Sequence, residues 1–258
     1  NENGDLLNVI GNGKGKGPGE FLHPNSFYIR DNDIWVTDTR LMKVMRFDVG
    51  GKFKNSFLVK YHPIRIHGFA DNLLVKTIAS DYIIKRLDYE GNKLAEFGNL
   101  IENQLQNALS VGGYIKTFND ITIFAPHIAS LLYYYKADTL FKMARRPDGQ
   151  NFKSSQKRDT GEGKMVMAPE AKVEARTLFK MDNKLFIGEI IKKNSSTKNK
   201  SNKKTVIDCY EVSSGKYKYS INPPLLTRNF RIFGNTLIAR DDNQDIIRTF
   251  KFDRSHLN

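Results

Sequence analysis

At 258 residues, with 40% hydrophobic and 27% charged side chains, the chain can bury a full core, which excludes global disorder. One cysteine, Cys209, excludes an intrachain disulfide, and the longest apolar-looking run, Ile121 to Tyr135, is broken by Pro126 and His127 and too short to cross a bilayer. The net charge of +13 invites a polyanion partner, yet residues 145–164 and 192–204 hold nine of the excess charges, so the charge belongs to two loops.

The chain opens on Asn1 without methionine or an apolar leader, so its compartment is not legible from a targeting signal. Residues 4–10, GDLLNVI, read as a strand that completes a blade made by the other terminus; the competing reading is that NENG is the turn of an upstream blade. A glycine series follows, Gly11, Gly13, Gly15, Gly17 and Gly19. It lacks the helix and the Lys-Ser/Thr pair of a phosphate cradle, and Pro18, Glu20, Phe21 and another strand come next, which favours a structural crossing.

Five two-residue turns then stand between strand-like runs: Asp31-Asn32, Asp71-Asn72, Asn119-Asp120, Asp182-Asn183 and Gly234-Asn235. Asn, Asp and Gly tolerate the positive φ of tight hairpins. The turns recur at intervals of 40 to 63 residues, and the two widest intervals hold the basic insertions. Third strands follow at 44–48, 83–88, 131–135, 206–212 and 246–253, with fourth strands after Gly51, Gly91 and Gly215. No long amphipathic helix is legible; residues 100–108 allow one helical turn at most. The expectation is one all-β domain over 1–258, a β-propeller of four-stranded blades with five repeats visible and basic loop insertions at about 145–172 and 192–204.

Residues 11–21, GNGKGKGPGEF, and the blade from His23 to Phe53 resemble NHL-type propellers, and in particular TolB-like six-bladed propellers of exported bacterial proteins and lipoproteins. The resemblance rests on Gly17 to Phe21, Pro24, Val36 to Asp38 and Phe47 to Lys52, and it continues more weakly over 62–98. It implies six blades, an extracytoplasmic address in the periplasm or at the cell surface, and no established activity for most members. Where such blades carry Asn-His-Arg after the aspartate, this chain has Leu41, Met42 and Lys43, which puts any role of that triplet in doubt.

Candidate chemistry gathers at one rim of the propeller channel. His23-Pro24 and His62-Pro63 stand at equivalent crossings, and Arg40 and His127 fall on the same rim; Arg176 and Arg228 are grouped with them as binding residues. Two imidazoles with Asp38 or Asp81 could share a metal, but no further histidine recurs at that register, so neither metal nor cofactor is assigned. His62 and His67, five apart, are expected on opposite faces of a strand and unable to chelate together. No nucleophile elbow is present, Cys209 lies mid-strand, and no catalytic residue is assigned. The second feature is the lysine loop, with Lys192, Lys193, Lys198, Lys200, Lys203 and Lys204, expected on the same end of the propeller as the 146–172 insertion.

The expected function is non-catalytic recognition of a small molecule, glycan or protein by rim loops. Two alternatives stay open. One is a metal-dependent lyase or hydrolase at the channel mouth; the other is polyanion or nucleic-acid binding through the lysine loop.

Overall fold

The structure, a computed structural model, describes residues 6–78, 81–99, 112–126, 131–145, 156–159, 165–168, 175–181, 183–192 and 203–251. It is an all-β propeller of four-stranded antiparallel blades, with no helix among the described residues. The chain divides into two compact units, Asn1–Leu109 with Ala137–Thr139, and Ser110–Lys136 with Leu140–Asn258.

The first unit holds two blades. One comprises β1 (Pro24–Arg30), β2 (Asp33–Asp38), β3 (Lys43–Asp48) and β4 (Phe53–Leu58) in that order; the other comprises β5 (His62–Phe69), β6 (Asn72–Ile78), β7 (Ile84–Leu87) and β8 (Lys93–Phe97). β2 and β6 are buried on both faces, which is why DIWV and LLVKT read as near-continuous runs rather than as alternations. Trp35 lies at the centre, stacked on Tyr28 at 5.8 Å and Tyr89 at 5.1 Å, with the Arg46 guanidinium 5.2 Å from its ring centroid. β1 packs beside β5 so closely that a Cβ on Gly68 would run into the Tyr28 hydroxyl.

The second unit begins with β9 (Gly113–Phe118), β10 (Ile121–Pro126), β11 (Leu131–Lys136) and β12 (Thr139–Arg145), which form the third blade. A two-stranded hairpin, β13 (Gln156–Asp159) and β14 (Met165–Ala168), follows. The expected loop at about 145–172 therefore contains a sheet of its own, with Gln156 opposite Ala168 and Asp159 opposite Met165. The fourth blade is β15 (Ala175–Met181), β16 (Lys184–Lys192), β17 (Lys203–Glu211) and β18 (Tyr217–Ile221); the fifth is β19 (Phe230–Phe233), β20 (Thr236–Asp241) and β21 (Ile246–Lys251). Leu132, Tyr134, Leu185, Ile187 and Tyr210 share one core, and Phe186, Cys209, Phe230 and Leu237 another.

Four hairpin turns fall where expected: Arg30 pairs with Asp33, Phe118 with Ile121, Met181 with Lys184, and Phe233 with Thr236. The second moves back by one residue. Phe69 pairs with Asn72, so the turn is Ala70-Asp71 and Ala70 adopts φ +48°. Arg30 explains the shift: its guanidinium donates to the Ala70 carbonyl and the Tyr89 hydroxyl, and it pairs with Asp71 at 3.0 Å. That tertiary contact outweighs the local preference of Asn for the turn.

The expected N-terminal strand does not form in residues 6–10. The segment lies outside every sheet with Leu6, Leu7 and Val9 exposed, and among the described residues the fifth blade has three strands, the last of them β21. Without a hydrogen-bonded partner strand, apolar residue types alone do not order so short a segment as a strand. Residues 100–108 lie outside the described residues.

Candidate rim and inter-blade pocket

The glycine series folds onto itself. Asn12 N–H donates to the Gly19 carbonyl, Phe21 N–H to that of Gly13, and Gly15 N–H to that of Phe21. The Glu20 carboxylate accepts the Gly17 N–H at 2.7 Å and fills the space where a Cβ on Gly15 would stand. A loop that uses its own carboxylate as the anion is closed to a phosphate. Phe21 then anchors it on Phe47, 5.6 Å away.

From there the chain enters β1 through a junction organised by Asp38, which is fully buried. Its Oδ2 accepts the N–H groups of Leu22 and His23 at 2.7 and 2.8 Å, and its Oδ1 those of Arg40 and Leu41 at 2.9 Å each. One carboxylate thus ties the incoming crossing to the β2–β3 turn. With its oxygens committed to four donors, Asp38 is spoken for as a structural anchor rather than as a metal ligand.

Around that anchor stand exposed groups held by neighbours. His23 Nδ1 lies 3.2 Å from Asn25 Oδ1, and His62 Nδ1 lies 3.0 Å from the Thr39 carbonyl. The Thr39 hydroxyl donates to the Pro63 carbonyl at 3.1 Å, and the Arg40 side chain is exposed beside them. The two histidines do occupy matching crossings, but each faces a protein oxygen. Among the described residues no three His, Cys, Asp or Glu side chains stand close enough to hold a metal.

The expected opposition of His62 and His67 is corrected by a bulge. Ile64 is inserted between Pro63 and Arg65, so His62 pairs with Ile78 and His67 with Leu74, four residues apart on β6. Both histidines therefore fall on one face of the sheet. They remain apart in use: His67 stacks on Tyr28 at 5.6 Å, far along the strand from the rim.

Between the two blades of the first unit, at the rim end, lies a pocket of about 330 Å³. Tyr61 is its organising residue. It adopts φ +72°, a strained conformation for a bulky side chain, in the crossing from β4 to β5. The ammonium groups of Lys60 and Lys85 each lie 5.2 Å from the Tyr61 ring centroid. Lys85 is buried on β7 and pairs with Glu96 at 2.9 Å; Glu96 also meets Lys93 at 3.1 Å, and the two cations, Lys85 first, hold its carboxyl below the usual range. Leu58, Val59 and Leu87 supply apolar wall, and Asp81 and Tyr82 stand exposed at the mouth. Of this group the sequence reading reached only Asp81. Lys60 and Tyr61 precede His62 with no motif to mark them, and a positive φ on tyrosine is not written in residue type.

The remaining expected residues scatter. Arg228 pairs loosely with Asp242, 3.5 Å away, and Arg176 is the bulged residue of β15. His127, Lys193, Lys198 and Lys200 lie outside the described residues. The lysine segment is less of a loop than expected: β16 and β17 run on into it, with Lys192 opposite Lys203 and Ile191 opposite Lys204. Lys204 donates to Asn222 Oδ1 at 3.3 Å. Ala175 pairs with Glu189, so the connection entering β15 and the one leaving β16 do share one end of the fourth blade. Cys209 is buried, and burial pushes its thiol up, away from reactivity.

No curated protein matches the sequence. Among solved structures, a protein of Bacteroides fragilis whose description calls it exported shares 16% identity at TM-score 0.60, over 94% of this chain and 72% of that one. A member of the DUF4221 family from Bacteroides vulgatus shares 8% identity at TM-score 0.58, over 92% of this chain and 81% of that one. At such identities both speak to the fold alone. The family described as 6-bladed beta-propeller, DUF5128, matches residues 1–145, more than half of the sequence, and the chain, with five blades among its described residues, belongs to that family.

Proposed function

We propose that this protein is a non-catalytic binding propeller that recognises its ligand at the rim of its first two blades. One observation carries the reading: Asp38 and the His62–Thr39 contact fix two crossings, and an open pocket organised by Tyr61 adjoins the second of them. Preorganised crossings with exposed imidazole, guanidinium, ammonium and tyrosine groups suit recognition, because little order remains to be imposed on binding.

The test is a thermal-shift screen of small molecules and glycans on the wild type and on the triple variant His23→Ala, Arg40→Ala, His62→Ala. Binding that weakens in the variant, with the compound recovered unchanged by mass spectrometry, supports recognition. A chemically altered compound, or stoichiometric metal that disappears with the two histidines, would instead favour the lyase or hydrolase reading.

Kinship with NHL-type and TolB-like propellers, through Gly17 to Phe21 and Val36 to Asp38, belongs to the same proposal. So does an extracytoplasmic address, as a periplasmic or surface protein or a lipoprotein. Cell fractionation checks the latter.

A second reading has its own observation. The register brings positions 192 and 203, both lysine, opposite each other at the end of a hairpin, which carries the basic segment out on one end of the fourth blade, where a polyanion would be drawn. Elution from heparin at unchanged salt after deletion of residues 192–204 removes that reading.

A further inference from the structure

We infer that the Tyr61 pocket takes a small carboxylate carried on a ring, a sugar acid or an aromatic acid. This rests on the proposed recognition function and adds the ligand's chemistry. The pocket is at the small end of ligand sites, which run from about 300 to 1,000 Å³, so it suits one compact ring system rather than a chain or a folded partner.

Charge selects the anion. Three ammonium groups, Lys60, Lys85 and Lys93, face two carboxylates, Asp81 and Glu96, in one lining. Glu96 is shared between Lys85 and Lys93, whereas Lys60 makes no ion pair among the described residues and is exposed. Lys60 and Lys85 are both held at the Tyr61 ring, which concentrates positive potential where the strained crossing has placed that ring. An incoming carboxylate meets Lys60 first. Entry deeper into the pocket sets it in competition with Glu96 for Lys85 and Lys93.

The ring follows from the remaining walls. Tyr82 is 38% exposed at the mouth, Leu58 is exposed at the edge, and Val59 and Leu87 line the interior, so the ligand body meets aromatic and aliphatic surface. Asp81 offers an acceptor to a hydroxyl at the same mouth.

Calorimetric titration of the full chain with glucuronate, benzoate, glucose and acetate tests this, with folding of every variant verified by thermal melting. Glucuronate or benzoate is expected to bind, while glucose and acetate bind at least about tenfold more weakly. The tighter of the two acids identifies the source of the ring. Lys60→Ala is expected to weaken binding about tenfold, and Glu96→Gln to strengthen it several-fold by releasing Lys85 and Lys93 to the ligand. Glucose binding as well as glucuronate, no binding of either acid, or a folded Glu96→Gln variant that binds more weakly overturns the inference. If the acids fail while another compound binds the wild type and not the rim triple variant, the ligand chemistry falls and the recognition reading stands.

Discussion

The first and fifth blades carry an aspartate at the same register, and they wire it differently. Asp38 ends β2 and accepts N–H groups from two segments, Leu22 and His23 before β1 and Arg40 and Leu41 after β2. Asp241 ends β20 and accepts the Asn243 N–H and the Arg248 guanidinium, both from its own turn and the strand beyond; the backbone donor, followed by Arg248, holds its carboxyl below the usual range. The crossing into the fifth blade is secured instead by a threonine pair, with the Thr227 N–H donating to Thr205 Oγ1 at 2.7 Å and that hydroxyl donating to the Thr227 carbonyl at 2.9 Å. A shared residue type at a shared position therefore does not imply a shared mechanical role. What an aspartate anchors depends on which backbone donors the neighbouring crossing brings to it.

Asp38→Ala breaks the comparison hardest. Four donors lose their acceptor at a buried position, and the expected loss is about 3–5 kcal/mol, read as a lowered urea midpoint with early hydrogen exchange at Leu22, His23, Arg40 and Leu41. An unchanged midpoint would mean that the anchor is redundant.

The second blade sharpens the comparison from the opposite direction. Thr77 takes the aspartate's place there, and Lys76, fully buried, takes the place of Thr37. Burial first, and Arg65 second, pull the Lys76 ammonium down from 10.5 to about 7. The unfolded chain keeps that proton up to about pH 10.5 and the folded chain releases it above about 7, so this group makes stability rise between those limits. Lys76→Met is expected to stabilise the protein at neutral pH by about 2 kcal/mol and to flatten that rise, measured by urea melts at pH 7, 8.5 and 10. A wild-type profile that falls over this interval would reverse the reading.

Thr205→Val comes next, with an expected cost of about 1–2 kcal/mol as both bonds to Thr227 are lost. Exchange at the Thr227 amide reports it directly. Asp241→Ala is expected to have the smallest effect, confined to the turn at 242–245 and the order of Arg248, and visible as local exchange with a melting temperature well above that of Asp38→Ala. Equal destabilisation by the two alanine variants would erase the distinction drawn between the blades.

Periodicity carried the architecture. Turn residues of the Asp-Asn kind recurring between β-rich runs were enough to place five blades and four of the five hairpins to the residue, because positive φ and strand alternation are local demands that residue types advertise. The tertiary structure decided what those local demands do not reach. Arg30 moved the second turn onto Ala70; the bulge at Ile64 turned His62 and His67 to one face; Asp38 was taken up by backbone donors sixteen residues upstream and three downstream. The pocket belongs to this second class, since Tyr61, Lys85 and Glu96 come from different strands and crossings and acquire a common purpose only when two blades stand side by side.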